Sequence, residues 1–327
     1  MPASSTIAVR LQTAEGYYRS GQFERAETVL NEIIATRPLV PEGLHLLGLV
    51  MFRKGDPEKA QGLISRAVSL DAQKIDFHVS LGNIYETCGQ PEKVESILKA
   101  SFQANPLRPD AALNLADFFA RNERPPEAEA VYRYILDIDP QSYAACNNLG
   151  NIAQSRGEFE EAEALYRKAL EIKPGLVETM NNLGMALMHG GSFPEAEDWF
   201  RKAVSGKNDL VEAIDNCGSA LMEQGRYEEA QEQYLKALSL RPGYESAAFN
   251  LSYIMLMKGK FVQGMPLYEK RLEKKEFSCL KETRSLKARQ EVQGKTILVR
   301  CEQGLGDTPP FGPVPAAFER QGRPCGL

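Results

Sequence analysis

Five asparagines recur at a fixed interval of 34 residues: Asn114, Asn148, Asn182, Asn216 and Asn250. An asparagine side chain offers one acceptor and two donors, so it can bond both the N–H and the C=O of an extended peptide. A row of them would read a partner's backbone rather than its side chains. The other reactive residue types are dispersed. The six cysteines, Cys88, Cys146, Cys217, Cys279, Cys301 and Cys325, form no C-x-x-C pair, so neither a zinc site nor a dithiol redox centre is expected. His45, His78 and His189 are equally scattered, and no metal is expected. No Ser/His/Asp, Cys/His or paired-carboxylate constellation emerges from residues 7–276. One stretch has a different character: "GKTILVRCEQGLGDT" carries a β-branched run, Thr296 to Val299, followed by a loop with Gly304 and Gly306. A strand followed by a glycine turn is how a nucleotide-binding α/β domain opens.

The elements that must position the asparagines form a repeat. In steps of 34, registers begin near Ile7, Pro41, Ile75, Pro109, Tyr143, Val177, Val211 and Glu245. The asparagines occupy the sixth place of units four to eight. A small residue fills the eighth place (Gly48, Gly82, Gly150, Gly184 and Gly218 among them), and alanine usually fills the twentieth. Each unit has two apolar-periodic segments around a break such as "RKGDP" or "SRGEF", which predicts a helical hairpin. Small residues let its two helices approach, and Tyr132, Tyr166, Phe200, Tyr234 and Tyr268 fill the space beside them. One such hairpin cannot bury its own apolar face, whereas stacked hairpins share a core. Unit four departs from the pattern, with Glu123 at the turn glycine's place and a Pro125–Pro126 pair after it.

The segment "NNLGNIAQSRGEFEEAEALYRKALEIKP", Asn147 to Pro174, resembles the tetratricopeptide repeat (TPR), whose period is 34. The resemblance covers roughly residues 7–276 and places a repeat array at 1–276, with repeats near 7–40, 41–74, 75–108, 109–142, 143–176, 177–210, 211–244 and 245–276. It implies an all-α superhelix of about eight hairpins whose first helices line a concave groove, with the asparagines in a row along it. That row is similar to the asparagine ladder of the protein O-GlcNAc transferases. Asparagine is also common at this place in such repeats, so the row reads either as a ligand ladder or as a habit of the repeat. The second place is mostly acidic (Glu42, Asp76, Asp110, Glu178, Glu212), which the helix dipole favours without any ligand.

Residues 277–293 read as a polar linker. Residues 294–327 resemble the opening of the heptosyltransferase-like glycosyltransferases that bacterial proteins join to such arrays. That resemblance implies Gly304 and Gly306 as a vestigial loop and Asp307 as the family's candidate base. Pro309, Pro310, Pro313 and Pro315 stand where the next helix is needed, and proline in a helix interior costs about 3 kcal/mol. The segment is therefore expected to be a truncated Rossmann-like fragment, with one strand and no working catalytic residue or cofactor. The expected function is a protein–protein interaction scaffold rather than an enzyme. The alternative is the acceptor-recognition part of a glycosyltransferase whose catalytic domain is missing.

Composition narrows the partner. The 327 residues are 43% hydrophobic and 25% charged, with a net charge of −5 and a pI near 5.5. An acidic chain without a basic block is a poor match for nucleic acid, so a protein or peptide partner is expected. There is neither a leader-like segment nor a run of about 18 apolar residues, and a cytoplasmic location is expected.

Overall fold

A computed structural model describes residues 3–269, and all sixteen elements among them are α-helices. They pair in chain order: α1 (Ala3–Arg19) with α2 (Phe23–Thr36), α3 (Pro41–Arg53) with α4 (Pro57–Leu70), α5 (Ile75–Thr87) with α6 (Pro91–Ala104), and α7 (Pro109–Arg121) with α8 (Pro125–Ile138). The second half continues with α9 (Tyr143–Ser155) and α10 (Phe159–Ile172), α11 (Val177–His189) and α12 (Phe193–Gly206), α13 (Val211–Glu223) and α14 (Tyr227–Leu240), and α15 (Glu245–Met257) and α16 (Phe261–Glu269). From α1 to α15 each helix packs on the next in sequence, and first helices of successive hairpins also touch, most loosely between α7 and α9. The result is an α-solenoid. No strand occurs among the described residues; the strand expected at Thr296 to Val299, and the loop after it, lie outside them.

Helix boundaries follow from local chemistry. Proline opens α3, α4, α6, α7 and α8, where its missing N–H costs nothing because the first turn leaves that donor unpaired. Between the helices of a hairpin the chain turns through a left-handed residue, as at Gly157 with φ 79°. At the α7–α8 turn Glu123 holds that conformation, with φ 57°, and Asn122 Nδ2 steadies the turn by donating to the Phe118 carbonyl at 2.8 Å.

Packing explains the small residues. A Cβ added to Gly150 would lie 2.6 Å from Tyr166 Cε1, and one added to Gly218 would lie 2.7 Å from Tyr234 Cε1. The aromatic ring of the second helix thus lies flat against the bare backbone of the first. Tyr132, Tyr166, Phe200 and Tyr234 are all at most 1% exposed, and burying each ring stabilises by about 1.5–3 kcal/mol. Ion pairs 27 or 29 residues apart join successive hairpins on the other side: Lys54–Glu27 at 2.7 Å, Arg124–Glu95 at 2.7 Å and Arg226–Glu197 at 2.6 Å. Exposed pairs of this kind contribute little; Glu197, whose side chain is 8% exposed, is the one that must stay paired.

Candidate peptide-binding groove

Each asparagine lies on the first helix of its hairpin and is half-buried. Their surroundings differ, because the ninth place of the preceding unit differs. Asn148 Nδ2 on α9 donates to Asp117 Oδ1 on α7 at 3.0 Å and lies 3.1 Å from the Tyr132 hydroxyl. Asn182 Nδ2 on α11 donates to Asn151 Oδ1 on α9 at 3.0 Å. The same acceptors also receive the buried tyrosine of their own hairpin: Tyr132 OH donates to Asp117 Oδ1 at 2.6 Å, and Tyr166 OH donates to Asn151 Oδ1 at 2.9 Å. A three-membered relay results, from the second-helix tyrosine to a first-helix acceptor to the asparagine of the next hairpin. It satisfies a buried hydroxyl that would otherwise cost about 1–3 kcal/mol. Burial pushes the ionisation of Tyr132, Tyr166 and Tyr234 far upward, so these phenols act only as neutral donors or acceptors.

Unit six loses both polar members together. Phe200 replaces the tyrosine and Met185 replaces the acceptor. Asn216 Nδ2 then turns to Asn181 Oδ1, at 3.0 Å. In unit seven Ser219 Oγ stands 3.3 Å from the Tyr234 hydroxyl. Neighbouring Asp215 is only 3% exposed. Ser246 Oγ donates to its Oδ2 at 2.6 Å, while Oδ1 has no hydrogen-bond partner. Burial raises this carboxyl above its ordinary pKa, against the opposing pull of Ser246 and Asn250. Asn114 makes no side-chain hydrogen bond among the described residues. It lines a cleft of about 740 Å³ with Asp117, Arg121, Glu123, Tyr132, Asn148 and Asn151, at the loose approach of α7 and α9.

The relay was missed in the sequence, although units four to seven carry a signal for it: there the twenty-fourth and ninth places change together, Tyr with Asp, Asn or Ser, and Phe with Met. Three of the five acidic residues at the second place are tied within the array. Glu42 lies 3.7 Å from Lys74, Asp110 pairs with Arg108 at 2.7 Å, and Glu212 with Arg241 at 2.8 Å. Among the described cysteines Cys146 and Cys217 are buried, Cys88 is partly so, and none is paired; burial holds the Cys217 thiol up at about 11. Among the described residues no group of three or more His, Cys, Asp or Glu side chains could hold a metal ion, and no helix is long and apolar enough to cross a membrane. Gly304, Gly306 and Asp307 lie outside the described residues.

Family models of the tetratricopeptide repeat match residues 11–75, 92–143 and 141–209, and a TPR model matches 218–259. With most of the sixteen-helix array so covered, the chain belongs to the tetratricopeptide repeat proteins. No curated protein matches it. Among solved structures, the C-terminal part of a TPR repeat-containing protein from Cytophaga hutchinsonii aligns with a TM-score of 0.58 at 17% identity, over 74% of this chain and 99% of that one. The APC/C hetero-tetramer Cut9–Hcn1 aligns at 0.54 and 13% identity, over 75% of this chain and 48% of that one. MamA aligns at 0.47 and 20%, over 52% and 93%. At these identities the likeness concerns the fold. None of these matches supports the glycosyltransferase resemblance.

Proposed function

We propose that this chain is a non-catalytic interaction scaffold that holds an extended peptide segment of a protein partner along its first helices, through Asn114, Asn148, Asn182, Asn216 and Asn250. The observation that carries the reading is the way the amides are held. In Asn182 and Asn216 one N–H is spent on the preceding hairpin, which fixes the rotamer and leaves a second N–H and the carbonyl oxygen. One donor and one acceptor are what a peptide unit needs, and a side chain fixed in advance loses less entropy on binding. Hairpins spaced by roughly 10 Å would engage about every third residue of a chain advancing about 3.3 Å per residue. The unpaired thiols of Cys88, Cys146 and Cys217 suit a reducing, cytoplasmic setting.

The test uses the whole chain and peptides selected on it from a random dodecamer library. Calorimetry compares wild type with N114A and with the triple variant N148A/N182A/N216A. Each lost amide contact contributes about 0.5–1.5 kcal/mol, so the triple variant should bind about tenfold to a thousandfold more weakly. Unchanged affinity in a folded triple variant refutes the ladder.

A further inference from the structure

The cleft between α7 and α9 contains a charge that the fold does not require. In unit five the relay acceptor for Tyr166 is the neutral Asn151, and in unit seven Ser219 stands beside Tyr234. In unit four the same place holds Asp117. Its Oδ1 accepts from both Tyr132 OH and Asn148 Nδ2, so the carboxylate is fixed in direction, while Oδ2 accepts no hydrogen bond among the described residues. No cation lies within ion-pairing distance of it there. Arg121, one turn along α7, is engaged with Glu86 at 3.0 Å, and Glu123 adds a second negative charge to the cleft lining. A half-buried carboxylate that is oriented, unpaired and facing an open cleft is a poor structural element, since its neutral counterparts do the structural task without the desolvation cost of a charge.

We infer that Asp117 takes a lysine or arginine side chain of the bound peptide. This rests on the groove reading above and adds a side-chain preference to it. The cationic head donates to Asp117 Oδ2, and the adjoining peptide unit meets Asn114 across the cleft, since the Asn148 amide is taken up by Asp117, Tyr132 and Asn147. The groove therefore reads one basic residue in a stretch otherwise held by its backbone.

Random dodecamers displayed on phage are selected separately on the full wild-type chain and on D117N, which keeps an acceptor for Tyr132. Wild type should enrich peptides with Lys or Arg at one aligned position, and D117N should not. For the best wild-type peptide, a synthetic version with norleucine in place of the basic residue should bind wild type about ten- to a hundredfold more weakly and bind D117N as the parent does. This peptide-side change needs no protein variant, so the inference stands or falls even if D117N is poorly folded. Equal binding of the lysine and norleucine peptides to wild type overturns the inference. If those peptides still lose affinity in the asparagine triple variant, only the charge preference falls. If they do not, or if nothing is enriched, the groove reading falls with it.

Discussion

Unit six is the place to test whether the relay is a physical unit. F200Y alone puts a hydroxyl where Phe200 is fully buried, facing Met185, whose thioether is a weak acceptor. An unsatisfied buried hydroxyl costs about 1–3 kcal/mol. M185N alone exchanges a half-buried apolar side chain for an amide with no tyrosine to bond, a loss of about 1 kcal/mol. In F200Y/M185N the new hydroxyl and the new amide stand as Tyr166 and Asn151 do, where the bond is 2.9 Å, and Asn216 has the acceptor that Asn182 finds in Asn151. The double variant should therefore recover most of both losses, with a favourable coupling of about 1–3 kcal/mol. Urea unfolding of the four proteins gives the coupling. Amide exchange in α11 to α13 localises it, as an array need not unfold as one unit. Additive effects within about 0.5 kcal/mol, or an F200Y that is as stable as wild type, would refute the relay as the reason these places change together.

Two further outcomes follow from single residues. E123G should raise stability by about 0.5–1 kcal/mol, because a left-handed non-glycine residue costs about 1–2 kcal/mol against glycine's extra chain entropy of about 0.5–1; a thermal melt that does not rise would mean the Glu123 turn is unstrained. D215N should stabilise at pH 7 by about 1 kcal/mol and flatten the pH dependence. Burial lifts the Asp215 pKa in the folded state, so its favourable contribution is complete at pH below its ordinary value and is lost as pH rises through the raised one. Urea melts from pH 4 to 8 in which wild type and D215N run parallel would exclude Asp215 as the cause.

The helical repeat was legible in the sequence because its determinants are local or periodic. Prolines at first turns, left-handed glycines and small residues opposite aromatic rings recur every 34 residues, and repetition turns weak propensities into a firm pattern. The hydrogen bonds that distinguish one asparagine from another were not legible in the same way. They join residues 15, 16 and 31 apart, from Tyr132 to Asp117, Tyr132 to Asn148 and Asn148 to Asp117. Reading each register by itself made Tyr132 and Tyr166 simply large core residues, and left out the buried hydroxyls that demand an acceptor. Asp117 carries no signal of its own for the same reason. In one repeat it is an ordinary carboxylate on a helix face, and only beside Asn151 and Ser219 does its charge become surplus. The opened approach of α7 to α9 has no counterpart in the periodic pattern, since it falls in the one unit whose turn breaks that pattern at Glu123.

Because the five asparagines are not equivalent, their alanine variants carry different information. Removing Asn148 deletes a bond to Asp117 and a contact with Tyr132, and removing Asn182 or Asn216 deletes a bond between hairpins. Each of these changes loosens the array by about 0.5–1.5 kcal/mol whether or not a ligand exists, and a weaker ligand affinity could then come from a less ordered groove. Asn114 is free of this ambiguity. It lines the cleft and makes no side-chain hydrogen bond among the described residues, so truncating it costs the free protein almost nothing. A loss of peptide affinity in N114A with an unchanged melt is therefore a direct reading of a contact with the ligand, and it fixes how much of the triple variant's loss belongs to binding and how much to the relay.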